Sequence, residues 1–136
     1  VKGVGDVAVV GFTTDGDVFG GFYKKPVVKT GYYQIDPDVF VFSFESHGRC
    51  ETPKRFMTRR KDITCAYYMI NDPYRFVSFS VDYIGGFFLG DERSSCGCGN
   101  MSGAFNGIEN TTLTGFNLSP NGPYHHCTRL VAFHLL

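Results

Sequence analysis

The chain reads as a mainly β protein, an antiparallel two-layer β-sandwich with few or short helices, and three observations carry that reading. Phe and Tyr are abundant, at 14 and 8, with no Trp, and both pack well on a pleated, half-buried surface. Seventeen Gly and six Pro are spread along the whole length, which supplies the reversals that many short strands need. No segment keeps helical apolar spacing over several turns, so strands follow one another without long helices and pair antiparallel.

The elements follow in order. Residues 4–12 form an apolar run interrupted by Asp6, a first strand. Asp15-Gly16 supplies the positive dihedral of a tight reversal into residues 18–23, completing a hairpin. Residues 24–31 are a basic loop, and Asp36-Pro37 turns the chain into residues 39–45. There Val39-Phe40-Val41-Phe42 has apolar bulk at every position, as in a strand buried on both faces. Residues 46–53 are a polar loop and 55–57 a short strand before the charged run 58–62. Residues 64–70 are a strand ended by Asn71-Asp72-Pro73, and 76–84 alternate like a half-buried strand. Gly85-Gly86 permits a bend or a close backbone approach, after which Phe87-Phe88-Leu89 resumes the apolar pattern. Residues 90–112, polar and Gly-rich, are expected to be a long surface excursion, and 128–136 the last strand.

At 136 residues the chain is expected to be one domain, and 43% hydrophobic composition lets it bury a core. Basic and acidic residues balance at 13 each, which argues against a polyanion gripped by bulk charge. No apolar stretch reaches the roughly 20 residues that span a bilayer. The chain opens on Val1 without a leader-like stretch, and is expected to be a fragment of a longer one. Its five cysteines are odd in number and scattered, unlike a secreted disulfide scaffold. Three Asn-x-Ser/Thr sequons, at Asn100, Asn110 and Asn117, matter only in a secreted chain. A reduced, cytoplasmic setting is expected.

The order of features resembles the TLDc domain family, in the divergent form of amoebae and other protists. The residues that carry the resemblance are Asp15-Gly16 with Phe19-Gly20-Gly21-Phe22, the Lys24-Lys25 link and the Asp36-Pro37 turn, followed by Phe40-Val41-Phe42-Ser43 and Pro53-Lys54-Arg55-Phe56. The likeness extends more loosely through 76–89, Leu113-Thr114-Gly115 and 130–134. Two features depart from the family: its glycine run is cut to Gly85-Gly86, and the helices that precede its first strand are absent. The resemblance implies a β-sandwich without an agreed catalytic centre. It also implies roles in protection against oxidative stress, in membrane traffic, or in assembly of the vacuolar proton pump.

Chemistry is sparse. Cys96-Gly97-Cys98 with His125-His126-Cys127 has the ligand types of a zinc site or a redox thiol pair. The C-x-C spacing is tighter than a usual zinc knuckle, and the preferred reading is a Gly-Ser loop with no cofactor. The basic residues Lys54, Arg55, Arg59, Arg60 and Lys61 form the only notable charge cluster. They suit phosphate or an anionic head group, and equally a strand edge guarded by cations. Tyr32, Tyr33, Tyr67 and Tyr68 have rings that stack on bases or pack in a sheet. Asp36 belongs to its turn, His47 and His134 show no partner, and no G-x-S-x-G elbow occurs, so an enzyme is not expected. A non-catalytic interaction domain with a protein partner leads. A DNA-binding stress regulator, nuclear in that case, is the alternative, and a zinc- or thiol-dependent redox protein the second. A small-molecule substrate is not expected.

Overall fold

Two five-stranded antiparallel sheets account for most of the chain. In the computed structural model, residues 3–26, 33–60, 67–69, 75–82, 84–90, 98–114 and 127–135 are described, with the backbone alone at 33, 68, 69, 75, 76 and 98. The strands are β1 (Val7–Thr13), β2 (Val18–Tyr23), β3 (Tyr33–Gln34), β4 (Phe40–Glu45), β5 (Lys54–Met57), β6 (Tyr67–Met69), β7 (Arg75–Val81), β8 (Gly85–Gly90), β9 (Cys98–Gly99) and β10 (Cys127–His134). One sheet runs β10-β1-β2-β4-β5 and the other β3-β6-β7-β8-β9. The only helix among the described residues is α1 (Met101–Ala104), a single turn. The mainly β, antiparallel reading of the sequence is therefore correct.

Local chemistry places the strands. Asp15-Gly16 makes the predicted reversal: Gly16 has φ 86° and its N–H donates to the Thr13 carbonyl at 3.0 Å, so β1 and β2 form a hairpin. Asp36 is fully buried, and its carboxylate accepts from the backbone N–H groups of Lys24 (2.7 Å), Lys25 (3.1 Å) and Asp38 (3.0 Å). One side chain thus ties the end of β2 to the turn that feeds β4, an Asx-turn with a second anchor.

The sheets close on each other through Tyr23 stacked on Tyr67 with ring centroids 4.4 Å apart, and Phe19 edge-on to Phe87 at 5.1 Å. Gly21 lies between them, and a Cβ there would meet the Phe79 ring at 2.6 Å. Absence of a side chain on β2 is what lets the second sheet approach so closely.

Three points where the structure refines the sequence reading have physical causes. Of the two options at Gly85-Gly86 the close backbone approach holds, since both residues are in β8 and a Cβ on Gly86 would sit 1.9 Å from the Phe79 carbonyl oxygen. The bend lies elsewhere, made upstream by Asp82 at φ 47°. The stretch 90–112 is not wholly a surface excursion. Met101, Ala104, Phe105 and Ile108 are at most 3% exposed, and Leu113 beside them is fully buried, so spaced apolar residues outweigh the polar residues around them. Tyr33–Gln34 forms a two-residue strand between the loop at 24–31 and the Asp36-Pro37 turn, where the sequence reading places no element; so short a strand has no alternation to betray it.

Candidate functional site

The outer face of the first sheet is largely apolar between its two edge strands. Strand alternation sends Val7, Val9, Phe19, Tyr23 and Val41 into the core and their neighbours to the other side. Registry then lays those neighbours in rows: Val131, Val10, Gly20, Phe42 and Arg55 in one, Phe133, Ala8, Phe22, Phe40 and Met57 in the next. The Phe rings form a ladder, with Phe22 stacked on Phe40 at 4.8 Å, Phe40 edge-on to Phe42 at 6.4 Å, and Phe42 tilted against Phe44 at 4.8 Å. Gly20 makes room for it, since its missing Cβ would lie 3.0 Å from the tip of Phe42.

The face holds a groove of about 540 Å³. Phe44 is 50% exposed and Phe133 51%. Among the described residues, the groove's charged lining is Lys54 and Arg55, with no carboxylate. The Arg55 guanidinium stands 5.5 Å from the Phe40 ring centroid, and across the sheet Arg129 holds the same distance over Phe12. Both rims of the face are thus cationic.

The basic run of the sequence divides between several places. Lys54 and Arg55 lie on β5, the edge strand beside the groove, with Lys54 Nζ 5.5 Å from the Phe56 ring. Arg59 Nε donates to the Ser102 carbonyl, and Arg60 pairs with Asp82 at 2.7 Å. Lys61 lies outside the described residues. Of the four described residues of the run, Arg59 and Arg60 thus hold intramolecular polar partners.

Of the cysteine and histidine candidates, Cys96, His125 and His126 lie outside the described residues. Cys98 belongs to β9, at the edge of the second sheet. Cys127 is fully buried at the start of β10, its Sγ 3.6 Å from where a Gly11 Cβ would be. Of the two readings of Tyr67, packing in the sheet holds: it is fully buried against Tyr23; Tyr32 lies outside the described residues. Burial pushes the Tyr23 hydroxyl up to about 12. Burial also raises Tyr67, with the Asp36 carboxylate and Tyr23 adding to it.

One cluster has no counterpart in the sequence reading. Asp17 is 1% exposed, and its Oδ1 accepts from Arg49 at 2.5 Å and meets His47 Nδ1 at 2.8 Å. Arg49 also donates to the Thr112 and Leu113 carbonyls, both at 2.9 Å. His47 therefore has a partner, 30 positions away in sequence. Only the fold brings the two together. The Asp17–Arg49 ion pair, with His47 on the same carboxylate oxygen, makes the group a latch. No family model, curated protein or solved structure matches this chain.

Proposed function

We propose that this chain is a non-catalytic interaction domain of TLDc type that docks a protein partner on the outer face of the first sheet. Under this reading it serves, in the cytoplasm, in oxidative-stress protection or in regulating a membrane-associated assembly such as the vacuolar proton pump. The observation that carries the docking face is the Phe ladder, half exposed at Phe44 and Phe133 and cationic at both rims. The segments that resemble the family are the ones that build it: Phe22, Phe40, Phe42 and Arg55 all fall within them. The DNA-binding alternative draws less support, because Arg59 and Arg60 already hold intramolecular partners.

The test is rescue of peroxide survival in cells deprived of their own TLDc protein. The chain restores survival, and Phe44→Asp with Phe133→Asp abolishes the rescue at equal protein level and equal melting temperature. A folded, expressed chain that gives no rescue overturns the stress role; rescue that survives the double substitution overturns the docking face.

A further inference from the structure

The partner's chemistry can be read from the face that would receive it. We propose that the occupant is an amphipathic α-helix of a partner protein, with an apolar stripe against the Phe ladder and carboxylates along both flanks. The inference rests on the docking face described above and adds the class of its occupant.

Three observations lead there. First, the groove lies over the face of the sheet and not along an open edge, lined by side chains from β10, β1, β2, β4 and β5. An extended segment laid there would bury backbone N–H and C=O groups with nothing to bond, whereas a helix satisfies its own. Second, the dimensions agree. Five strands at about 4.8 Å spacing give a face roughly 19 Å wide, and a helix with its side chains is about 10 Å across. A helix seated along β1, β2 and β4 covers the ladder and leaves its flanks facing the two rims.

Third, the charges select the occupant. Arg55 on β5 and Arg129 on β10 stand over the outward rings Phe40 and Phe12, Lys54 joins the lining, and no carboxylate among the described residues lines the groove. None of the three has a salt-bridge partner among the described residues. A second copy laid face to face would set cationic rims against cationic rims, because both edges carry Arg. A helix with Glu or Asp on its flanks places opposite charge at each rim and supplies apolar bulk between.

The test uses synthetic peptides of roughly 18 residues, long enough for several helical turns, titrated by fluorescence anisotropy at low and at high salt. One carries a Leu/Phe stripe flanked by Glu, the second the same stripe flanked by Lys, and the third the Glu composition scrambled. The Glu-flanked helix is expected to bind about tenfold more tightly than the Lys-flanked one at low salt, with the gap closing as salt rises. Arg55→Glu with Arg129→Glu should invert the preference, and Phe44→Asp with Phe133→Asp should abolish binding of both helices. Both double variants alter exposed side chains, and circular dichroism melts confirm that they fold.

Equal affinity for the two helices, each sensitive to the Phe substitutions, overturns the carboxylate-flanked partner and leaves the docking face standing. No binding of any peptide, together with no binding of an apolar fluorescent dye, overturns the docking face itself. Sedimentation showing a dimer broken by Phe133→Asp assigns the face to a second copy, and tighter binding to phosphatidylserine vesicles than to the Glu-flanked peptide assigns it to a membrane; either result overturns the helix.

Discussion

Tyr23 carries a hydroxyl in the wrong place. Its ring is an asset, fully buried and stacked on Tyr67, but its oxygen has no hydrogen-bond partner among the described residues. Tyr67 beside it donates to the Lys25 carbonyl. The two tyrosines therefore respond oppositely to the same substitution. Tyr23→Phe removes a desolvated, unsatisfied group and is expected to stabilise the fold by about 1 kcal/mol, whereas Tyr67→Phe strips the Lys25 carbonyl of its donor and destabilises. Chemical denaturation of the two variants checks the pair. Both hydroxyls hold their protons more tightly in the fold than in the unfolded chain, where tyrosine titrates near ~10. Stability is therefore complete below about pH 10. It falls as pH rises past that point through the folded value of about 12 at Tyr23. Tyr23→Phe removes one of the two contributions, so its unfolding curve shows less loss between pH 9 and 12, on the order of the span named by those values; a loss equal to that of the parent chain would refute the assignment.

At the scale of the element, β2 explains why Phe19-Gly20-Gly21-Phe22 has its form. The two glycines serve opposite faces. Gly21 clears space for Phe79 in the core, and Gly20 clears space for Phe42 on the outer ladder while its backbone lies against Val9. Substitution separates them by what each Cβ would strike. Gly21→Ala meets a ring at 2.6 Å, which can shift, and is expected to cost roughly 1–3 kcal/mol. Adding Phe79→Leu should return part of that loss, a coupling that a double-mutant cycle measures. Gly20→Ala meets the Val9 carbonyl oxygen at 1.9 Å, main chain that cannot yield without breaking the β1–β2 pairing. It is expected to cost more than Gly21→Ala, and Phe42→Ala should not rescue it. Strand existence was legible here because bulk, alternation and the Asp15-Gly16 turn are local signals. The face was half legible: apolar bulk at every position from Val39 to Phe42 announces a strand with two apolar sides, and β1 and β2 repeat the pattern once registry is known. What no local signal provides is which side stays open. That depends on which elements pack above it, and it is why the basic residues drew attention before the rings beside them.

Across the whole molecule, long-range polar contacts decide what the sequence could not. The latch of Asp17, His47 and Arg49 joins the start of β2, the loop after β4 and the segment at Thr112–Leu113, and its bonds reach as far as 64 positions along the chain. None of the three residues signals the others by spacing, so the partner of His47 was invisible until the sheets were assembled. The latch also holds in place Leu113 and the end of the stretch 90–112, whose Ile108 joins the core although composition reads that stretch as solvent-exposed. Arg49→Met tests this role. It leaves the buried Asp17 carboxylate without its strongest partner and the two carbonyls without a donor, and breaking such a pair from one side costs about 3 kcal/mol. Asp17→Asn added to Arg49→Met removes the stranded charge, so the double variant should recover part of the loss even though it lacks the ion pair altogether. The two effects differ in place as well as size. Arg49→Met should speed amide exchange in residues 108–114 well before it reaches β7 and β8, because the segment loses its tether while the strand ladders remain. Exchange that accelerates uniformly over both sheets, or a double variant no more stable than Arg49→Met alone, would show that the latch does not act as the tether of the closing segment.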